Sequence, residues 1–203
     1  MNVVAPLFST PIYVGDVQIT SEEIDHCNSQ HKSEGSFAKF MISHDDRVFD
    51  DPILAGLKSQ VKTHLDRYID DVYKLNHDSF EFYINTSWVS DVVYESKVHP
   101  HRHCHSIFTG VIVLNCTDGT RLILDNPQTP IMPGFFNFKY NEFNTYNSID
   151  WYFDLKPNQI YIFPSNLNHS AVCINPEAGL RVIAFDTFIK GTVGKHSDSV
   201  TFK

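Results

Sequence analysis

The sequence predicts an α+β domain in which a helical N-terminal part is followed by a β-rich core. Two patterns support this class. A long apolar stripe at helical spacing occurs within the first 78 residues, and the rest of the chain alternates in short runs that are typical of strands. Aromatic residues, which favour strands, make up 13% of the 203 residues. We therefore expect one domain with helices packed on a β-sandwich or barrel.

The longest predicted helix begins at Asp51-Pro52 and runs to about Leu75. Asp is a favourable N-cap, and Pro suits the first helical position because its missing N–H would have no partner there. One apolar stripe supports this helix, formed by Ile53, Leu54, Leu57, Val61, Leu65, Tyr68, Ile69 and Val72. A shorter helix is expected to open at Ser21, with Ser21 or Thr20 as its cap.

After Asp78-Ser79 the pattern changes to short β runs bounded by turn residues. Strands are predicted at 80–94, 98–105, 108–115, 121–124, 160–163, 170–174 and 180–188. The stretch from about residue 128 to 156 is irregular and rich in aromatic side chains. Its length predicts a hairpin or a lid rather than a structureless loop.

Composition and charge argue against several classes of function. The net charge of −8 disfavours binding to DNA or RNA, which needs clustered Lys and Arg. The chain has no apolar run long enough to span a membrane and shows no secretory signal, so a cytoplasmic protein is the default expectation. Its four cysteines are too scattered to suggest a disulfide framework.

The most informative motif is the run His-Pro-His-Arg-His-Cys-His at 99–105, which places a histidine at every second position. In an extended strand all four imidazoles would project from one face. Imidazoles are good ligands for divalent transition metals, whereas a solvated polar strand is the alternative interpretation. A fifth candidate, His169, follows the apolar run 160–164. Two ligands from one strand and one from a distant strand would leave open positions on a catalytic metal.

Several further motifs carry a resemblance to a known family. In chain order they are Trp88-Val-Ser, Pro100-His101-Arg-His103, Thr109-Gly110-Val-Ile-Val-Leu-Asn115, Asp125-Asn-Pro127, Phe163-Pro-Ser165, His169 and Arg181-Val-Ile-Ala-Phe185. This order resembles the 2-oxoglutarate/Fe(II)-dependent oxygenases of bacteria and phages that are related to the prolyl 4-hydroxylases. Their pattern is W…H-x-H…S-G-V-x-Y-L…F-P-S…H…R-I-S-I-S-F-N, and the resemblance covers roughly residues 80 to 194.

The resemblance implies the architecture as well as the activity. It implies a double-stranded β-helix, or jelly roll, supported by N-terminal helices within a single domain of residues 1–203. Residues 1–78 would form the helical support, 79–194 the core and 195–203 a C-terminal tail. The protein would be a dioxygenase that uses Fe(II), 2-oxoglutarate and O2 to hydroxylate an unidentified organic or peptide substrate, such as a prolyl side chain.

The resemblance also implies which residues bind the cofactors. Counting back from the Thr-Gly motif places the metal-binding pair at His101 and His103, and His169 becomes the distal ligand. Most related oxygenases have Asp or Glu as the second ligand, so His103 would leave the site more cationic. A pair one step later, formed by His103 and His105, stays open at this stage.

Arg181 stands where the family has the arginine that binds the far carboxylate of 2-oxoglutarate. A forked, permanently charged guanidinium suits that carboxylate, and an arginine within an apolar run is costly without such a partner. An edge-strand arginine that points to water is the alternative. The chain also departs from the family pattern nearby, with Ile183 in place of Ser and Asp186-Thr187 in place of Phe-Asn.

Two rival functions share the same fold. A cupin-type metalloenzyme that does not use 2-oxoglutarate would also contain His-x-His and a distal histidine, but the carboxylate that usually follows in cupins is missing between His105 and Asp118. A non-catalytic jelly-roll binding module is the second rival. The surplus aromatic strands could also pair two subunits as a homodimer, and the sequence leaves both the oligomeric state and the substrate open.

Overall fold

The computed structural model describes residues 7–35, 40–94, 97–128 and 139–203, and within them the chain forms two antiparallel β-sheets and a helical layer. The two α-helices are α1 (Ser21–Ser29) and α2 (Ala55–Tyr68). The strands are β1 (Tyr13–Asp16), β2 (Lys32–Glu34), β3 (Met41–Ser43), β4 (Phe80–Val93), β5 (Lys97–His101), β6 (Phe108–Cys116), β7 (Thr120–Asp125), β8 (Asp150–Asp154), β9 (Gln159–Pro164), β10 (His169–Cys173), β11 (Gly179–Val193) and β12 (Val200–Phe202).

The larger sheet has the order β1-β9-β6-β11-β4-β3-β2, with β12 also paired to β11, and the smaller sheet has the order β5-β10-β7-β8. Apolar side chains of the two sheets meet in one core, which includes Val113 and Val182 from the larger sheet and Leu122 and Leu124 from the smaller. Two facing antiparallel sheets of this kind are the jelly-roll core that was expected. The larger sheet draws β1, β2 and β3 from the predicted helical support and β12 from the predicted tail.

The helical layer begins as the sequence predicts. The Asp51 carboxylate accepts the N–H of Ile53 at 2.9 Å, and a 3-10 turn at Pro52–Leu54 leads into α2. A π-helical turn at Ile69–Tyr73 continues it, and the left-handed Lys74 (φ 53°) ends it. Predicted and observed ends therefore agree closely.

The shorter helix α1 is capped by Thr20. The Thr20 hydroxyl accepts the N–H of Glu23, and the Glu23 carboxylate accepts the N–H of Thr20 in return at 2.7 Å, which satisfies two terminal donors at once. The same carboxylate also accepts the N–H of Leu57 at 3.2 Å. One buried side chain thus caps α1 and ties it to the start of α2.

A second core lies between α2 and the outer face of the larger sheet. It contains Leu57, Val61 and Leu65 from the helix together with Ile183 and Phe185 from β11, all fully buried. Burial of each such side chain contributes roughly 1.5–3 kcal/mol. Because successive residues of β11 alternate between the two cores, this strand decides which side chains reach the space between the sheets.

Gly110 allows the closest packing in this layer. A Cβ at this position of β6 would overlap the ring of Phe185 on the neighbouring strand β11. The Thr-Gly motif noted in the sequence therefore serves the packing of the sheet, since only glycine leaves room for the aromatic ring.

Candidate metal centre

The register of the smaller sheet brings two of the predicted ligands together. His101, at the end of β5, is the direct cross-strand partner of His169, at the start of β10. Their ring centroids lie 4.5 Å apart. Strands that are far apart in the sequence thus place two imidazoles side by side at one end of the barrel.

His103 completes the group just beyond the end of β5. Its backbone N–H donates to the carbonyl of Ser165 at 3.0 Å, which holds this part of the chain against the turn after β9. The Nε2 atoms of His101 and His103 are 3.1 Å apart, and the ligand atoms of all three histidines lie within 4.8 Å of one another. Two metal–imidazole bonds of ~2.1 Å at right angles would place their nitrogens about 3 Å apart, so the spacing suits a shared ion.

Each imidazole is oriented by an acceptor at its Nδ1 atom. His101 donates to the carbonyl of His99 at 2.8 Å, and His169 donates to the carbonyl of Leu167 at 3.0 Å. The Nδ1 of His103 lies 2.7 and 2.9 Å from the two carboxylate oxygens of Asp186. Because these acceptors fix the protons on Nδ1, the three Nε2 lone pairs are left to converge on one point.

Burial keeps His101 and His169 in their metal-binding protonation state. Desolvation lowers the pKa of His169 to about 3, with its Leu167 hydrogen bond opposing the shift and the two neighbouring imidazoles adding to it. Desolvation also lowers the pKa of His101. Both rings are therefore neutral at pH 7, which is the form that binds a metal. A cluster of three convergent lone pairs, one of them on the buried His169, fits a divalent transition metal.

The expectation that all four histidines of the run share one face is wrong. Val98 pairs with Ala171 and His101 pairs with His169, so three steps along β5 match two along β10. This bulge breaks the alternation and leaves His99 exposed. His105 is also exposed; it lies beyond the end of β5 and has a positive φ of 59°. Of the run, His101 and His103 are the two that lie together with His169.

The structure also corrects the expectation for Arg181. Leu180 and Val182 face the space between the sheets, so Arg181 projects from the opposite face of β11, toward the helical layer. Its guanidinium donates to both carboxylate oxygens of Asp91, at 2.5 and 2.9 Å, and also to Asn28. Its charge is thus already neutralised away from the three histidines, and this residue does not fit a 2-oxoglutarate carboxylate.

Asp186 is the site residue that sequence reasoning missed. It occupies the same face of β11 as Val182 and is buried beside His103. In the sequence, Asp186 was noted only because it departs from the family pattern and adds a negative charge near the barrel. The signal available was the two-residue period of a strand, since positions 181 and 186 are five residues apart and fall on opposite faces of a regular strand.

Aromatic side chains enclose the cluster. Trp88 of β4 stacks on His103 with centroids 5.6 Å apart, and Phe163 of β9 meets His169 edge-on at 4.8 Å. Trp151 continues the row of the smaller sheet, because it pairs with Leu124, the partner of His169. Of the predicted insert, residues 129–138 lie outside the described residues, and the remainder forms a loop and β8.

Comparison with known protein families shows the family of this chain. Residues 86–186 match the family described as "Putative 2OG-Fe(II) oxygenase". The chain belongs to this family. It is accordingly an oxidoreductase that depends on Fe(II) and 2-oxoglutarate, which favours the oxygenase among the three functions considered from the sequence. A comparison with curated proteins found no match.

Solved structures share the fold of this oxygenase at low sequence identity. HygX from Streptomyces hygroscopicus, with nickel, 2-oxoglutarate and hygromycin B bound, has a TM-score of 0.59 and 10% identity over 88% of this chain and 82% of its own. A Pseudomonas putida prolyl-4-hydroxylase has a TM-score of 0.51 and 10% identity over 89% and 94%. A Trichoplax adhaerens prolyl hydroxylase in complex with a hypoxia inducible factor peptide fragment has a TM-score of 0.53 and 11% identity over 89% and 84%.

Among the described residues, no helix of the oxygenase is both long enough and apolar enough to cross a bilayer.

Proposed function

We propose that the oxygenase binds Fe(II) through His101, His103 and His169 and hydroxylates a peptidyl side chain, with prolyl residues as the first class to test. The convergence of three Nε2 lone pairs, each fixed by an acceptor at Nδ1, carries the metal assignment. When bound, Fe(II) and 2-oxoglutarate supply the oxidation: one oxygen atom of O2 enters a substrate C–H bond, and the other enters succinate as CO2 leaves.

The protein's own residues hold and enclose this chemistry. The hydrogen bonds to the carbonyls of His99 and Leu167 orient two ligands before the metal arrives, which lowers the cost of assembling the site. Trp88 and Phe163 cover the ligand rings and limit the access of water. No residue is assigned to the far carboxylate of 2-oxoglutarate, since Arg181 is paired with Asp91.

Aromatic side chains near the ligands support a peptidyl substrate. Trp88 is half-buried on the larger sheet, and Trp151 is 43% exposed on the inner face of the smaller sheet, in the row that contains His169. Grooves lined by aromatic rings are a recurring way to bind proline-rich chains, because the rings pack against pyrrolidine without needing side-chain hydrogen bonds. Two prolyl hydroxylases also share the fold.

The metal assignment is tested with single-histidine variants. H101A, H103A and H169A should each lose Fe(II) and the conversion of 2-oxoglutarate to succinate while far-UV circular dichroism is retained. H99A and H105A are the matched controls, because these histidines belong to the same run and are exposed. Wild-type protein that forms no succinate from 2-oxoglutarate with Fe(II) and O2 would contradict the proposal.

The substrate class is tested separately with peptides. Proline-rich peptides and small hydroxylatable metabolites are incubated with Fe(II), 2-oxoglutarate and O2, and mass spectrometry records the addition of one oxygen atom. The proposal expects a hydroxylated prolyl peptide. Oxygen added only to a small metabolite would overturn the substrate class and leave the metal assignment intact.

A further inference from the structure

The three ligands differ in what holds their Nδ1 atoms. His101 and His169 donate to neutral backbone carbonyls, whereas His103 donates to the carboxylate of Asp186. His103 is also the ligand that stands where most related oxygenases have Asp or Glu. The one histidine that replaces a carboxylate ligand is therefore the one that is hydrogen-bonded to a carboxylate.

We propose that Asp186 is a positioning residue that supplies, through His103, the negative charge that a three-histidine site lacks; this inference rests on the proposed metal site. Two imidazoles and a carboxylate around Fe(II) carry a net charge of +1, whereas three neutral imidazoles leave it at +2. Counting Asp186 restores +1 to the site. A carboxylate at Nδ1 also makes the opposite nitrogen a stronger donor to a metal.

The surroundings of Asp186 hold its carboxylate in place. Thr109, which is fully buried on β6, lies with its hydroxyl 2.7 Å from the Oδ1 of Asp186 and 2.9 Å from the hydroxyl of Ser165. Because a carboxylate only accepts, the Thr109 proton goes to Asp186 and Ser165 donates to Thr109. The hydroxyl of Ser106 lies 2.6 Å from that of Ser165 and extends the chain.

This arrangement is more than a satisfied buried charge. Both oxygens of Asp186 approach the same Nδ1, at 2.7 and 2.9 Å, so the carboxylate faces the ring edge squarely. Trp88 stacks on the face of the same ring, and the backbone N–H of His103 is bound to Ser165. The ring is thereby held on its edge, its face and its backbone, and only Nε2 remains free for a metal.

Metal affinity measured with Co(II) on the full-length protein tests the inference without relying on turnover. D186N keeps the size of the side chain and removes the charge, so it should bind Co(II) about 10–100-fold more weakly than wild type. The visible bands of bound Co(II) should also shift, because the donor strength of one ligand changes. D91N is the matched control: it neutralises another partly buried, ion-paired aspartate outside the centre, and its Co(II) affinity should stay within about twofold of wild type.

D186N that binds Co(II) within twofold of wild type, with unchanged bands, would overturn the role of Asp186. Wild type that binds no divalent metal would instead contradict the proposed metal site itself, so the two failures are distinguishable.

A measurement on the wild type keeps the inference testable even if D186N does not fold. In Zn(II)-loaded protein labelled with 15N-histidine, the Nδ1–H proton of His103 should resonate downfield of those of His101 and His169, because its acceptor is charged. A His103 proton that resonates upfield of both, or a His103 ring that carries its proton on Nε2, would overturn the proposal.

Discussion

Arg181 and Asp91 are direct cross-strand partners on β11 and β4, and their side chains form a two-point ion pair beneath α1. Lys32 joins the same carboxylate at 3.1 Å, with its side chain only 8% exposed. The pair therefore fastens β2 and β4 to β11 on the face of the sheet that is turned away from the metal centre. The arginine that the family pattern suggested for cofactor binding serves here in the framework.

We expect R181A to destabilise the protein without abolishing its chemistry. Loss of the guanidinium leaves a partly buried carboxylate with one fewer partner, which should cost about 1–3 kcal/mol, less than for a fully buried pair because the side chain is 33% exposed. Urea unfolding measures that loss, and succinate formation at saturating 2-oxoglutarate should stay within about twofold. R121A, which breaks a more exposed pair with Asp154, is the control for a general charge effect. Loss of succinate formation in folded R181A would instead indicate that Arg181 binds 2-oxoglutarate.

The same ion pair predicts a component of acid sensitivity. Burial acts to raise the pKa of Asp91, but the hydrogen bonds from Arg181 and Lys32 outweigh it and hold the pKa below its ordinary value of 3.8. The ionised carboxylate is thus favoured in the folded state, so its contribution is complete well above pH 3.8 and is lost as the pH falls through the folded pKa. The difference in unfolding free energy between wild type and D91N should shrink between pH 6 and pH 3. A difference that is constant across this range would exclude the linkage.

Gly110 offers a test of packing at the sheet surface. G110A should destabilise the protein by about 1–3 kcal/mol, because the new methyl group overlaps the Phe185 ring in a close-packed layer. The double variant G110A/F185L should recover part of the loss, since the smaller side chain vacates the contested space. G179A is the matched control on β11, where no atom lies within 4 Å of an added Cβ. Equal thermal midpoints for G110A and G179A would contradict this explanation of the Thr-Gly motif.

The two tryptophans should separate ligand support from substrate contact. W88A removes the ring stacked on His103 and should weaken Co(II) binding by about 2–10-fold, the range expected for an aromatic pair. W151A removes a 43% exposed ring at the edge strand β8, so Co(II) affinity should not change while the KM for a peptide substrate rises. Isothermal titration and initial rates measure the two effects, and an identical response of both variants would argue against separate roles.

Local signals in the sequence predicted the helix start and the closeness of three histidines well. Asp51-Pro52 marks a helix start through a hydrogen bond and a backbone preference that act within three residues. His101 and His103 lie close together even though β5 ends at His101, because only one residue separates them. The prediction for His99 failed because one bulge shifts the alternation, and a bulge depends on the partner strand rather than on the run itself. The prediction for His105 failed because β5 ends at His101, so the alternation of a strand no longer applies there.

For a long strand, the face that each side chain occupies is harder to predict from the sequence than the existence of the strand. On β11, a shift of one residue would exchange the side chains that face the three histidines with those that face the helices. Arg181 was expected to lie inside because it stands where the resembled family has its cofactor-binding arginine. The structure places its charged partner, Asp91, on the other face. Asp186, which reaches the centre, was visible only as a departure from the family pattern.

The proposed ligands His101 and His169 stand sixty-eight positions apart in the chain and meet only when β5 pairs with β10. An unfolded chain offers a metal far weaker coordination, so each bound ion shifts the folding equilibrium toward the native state. Scarcity of the ion would leave more chains open to proteolysis, and the lifetime of the enzyme would then track the supply of its metal.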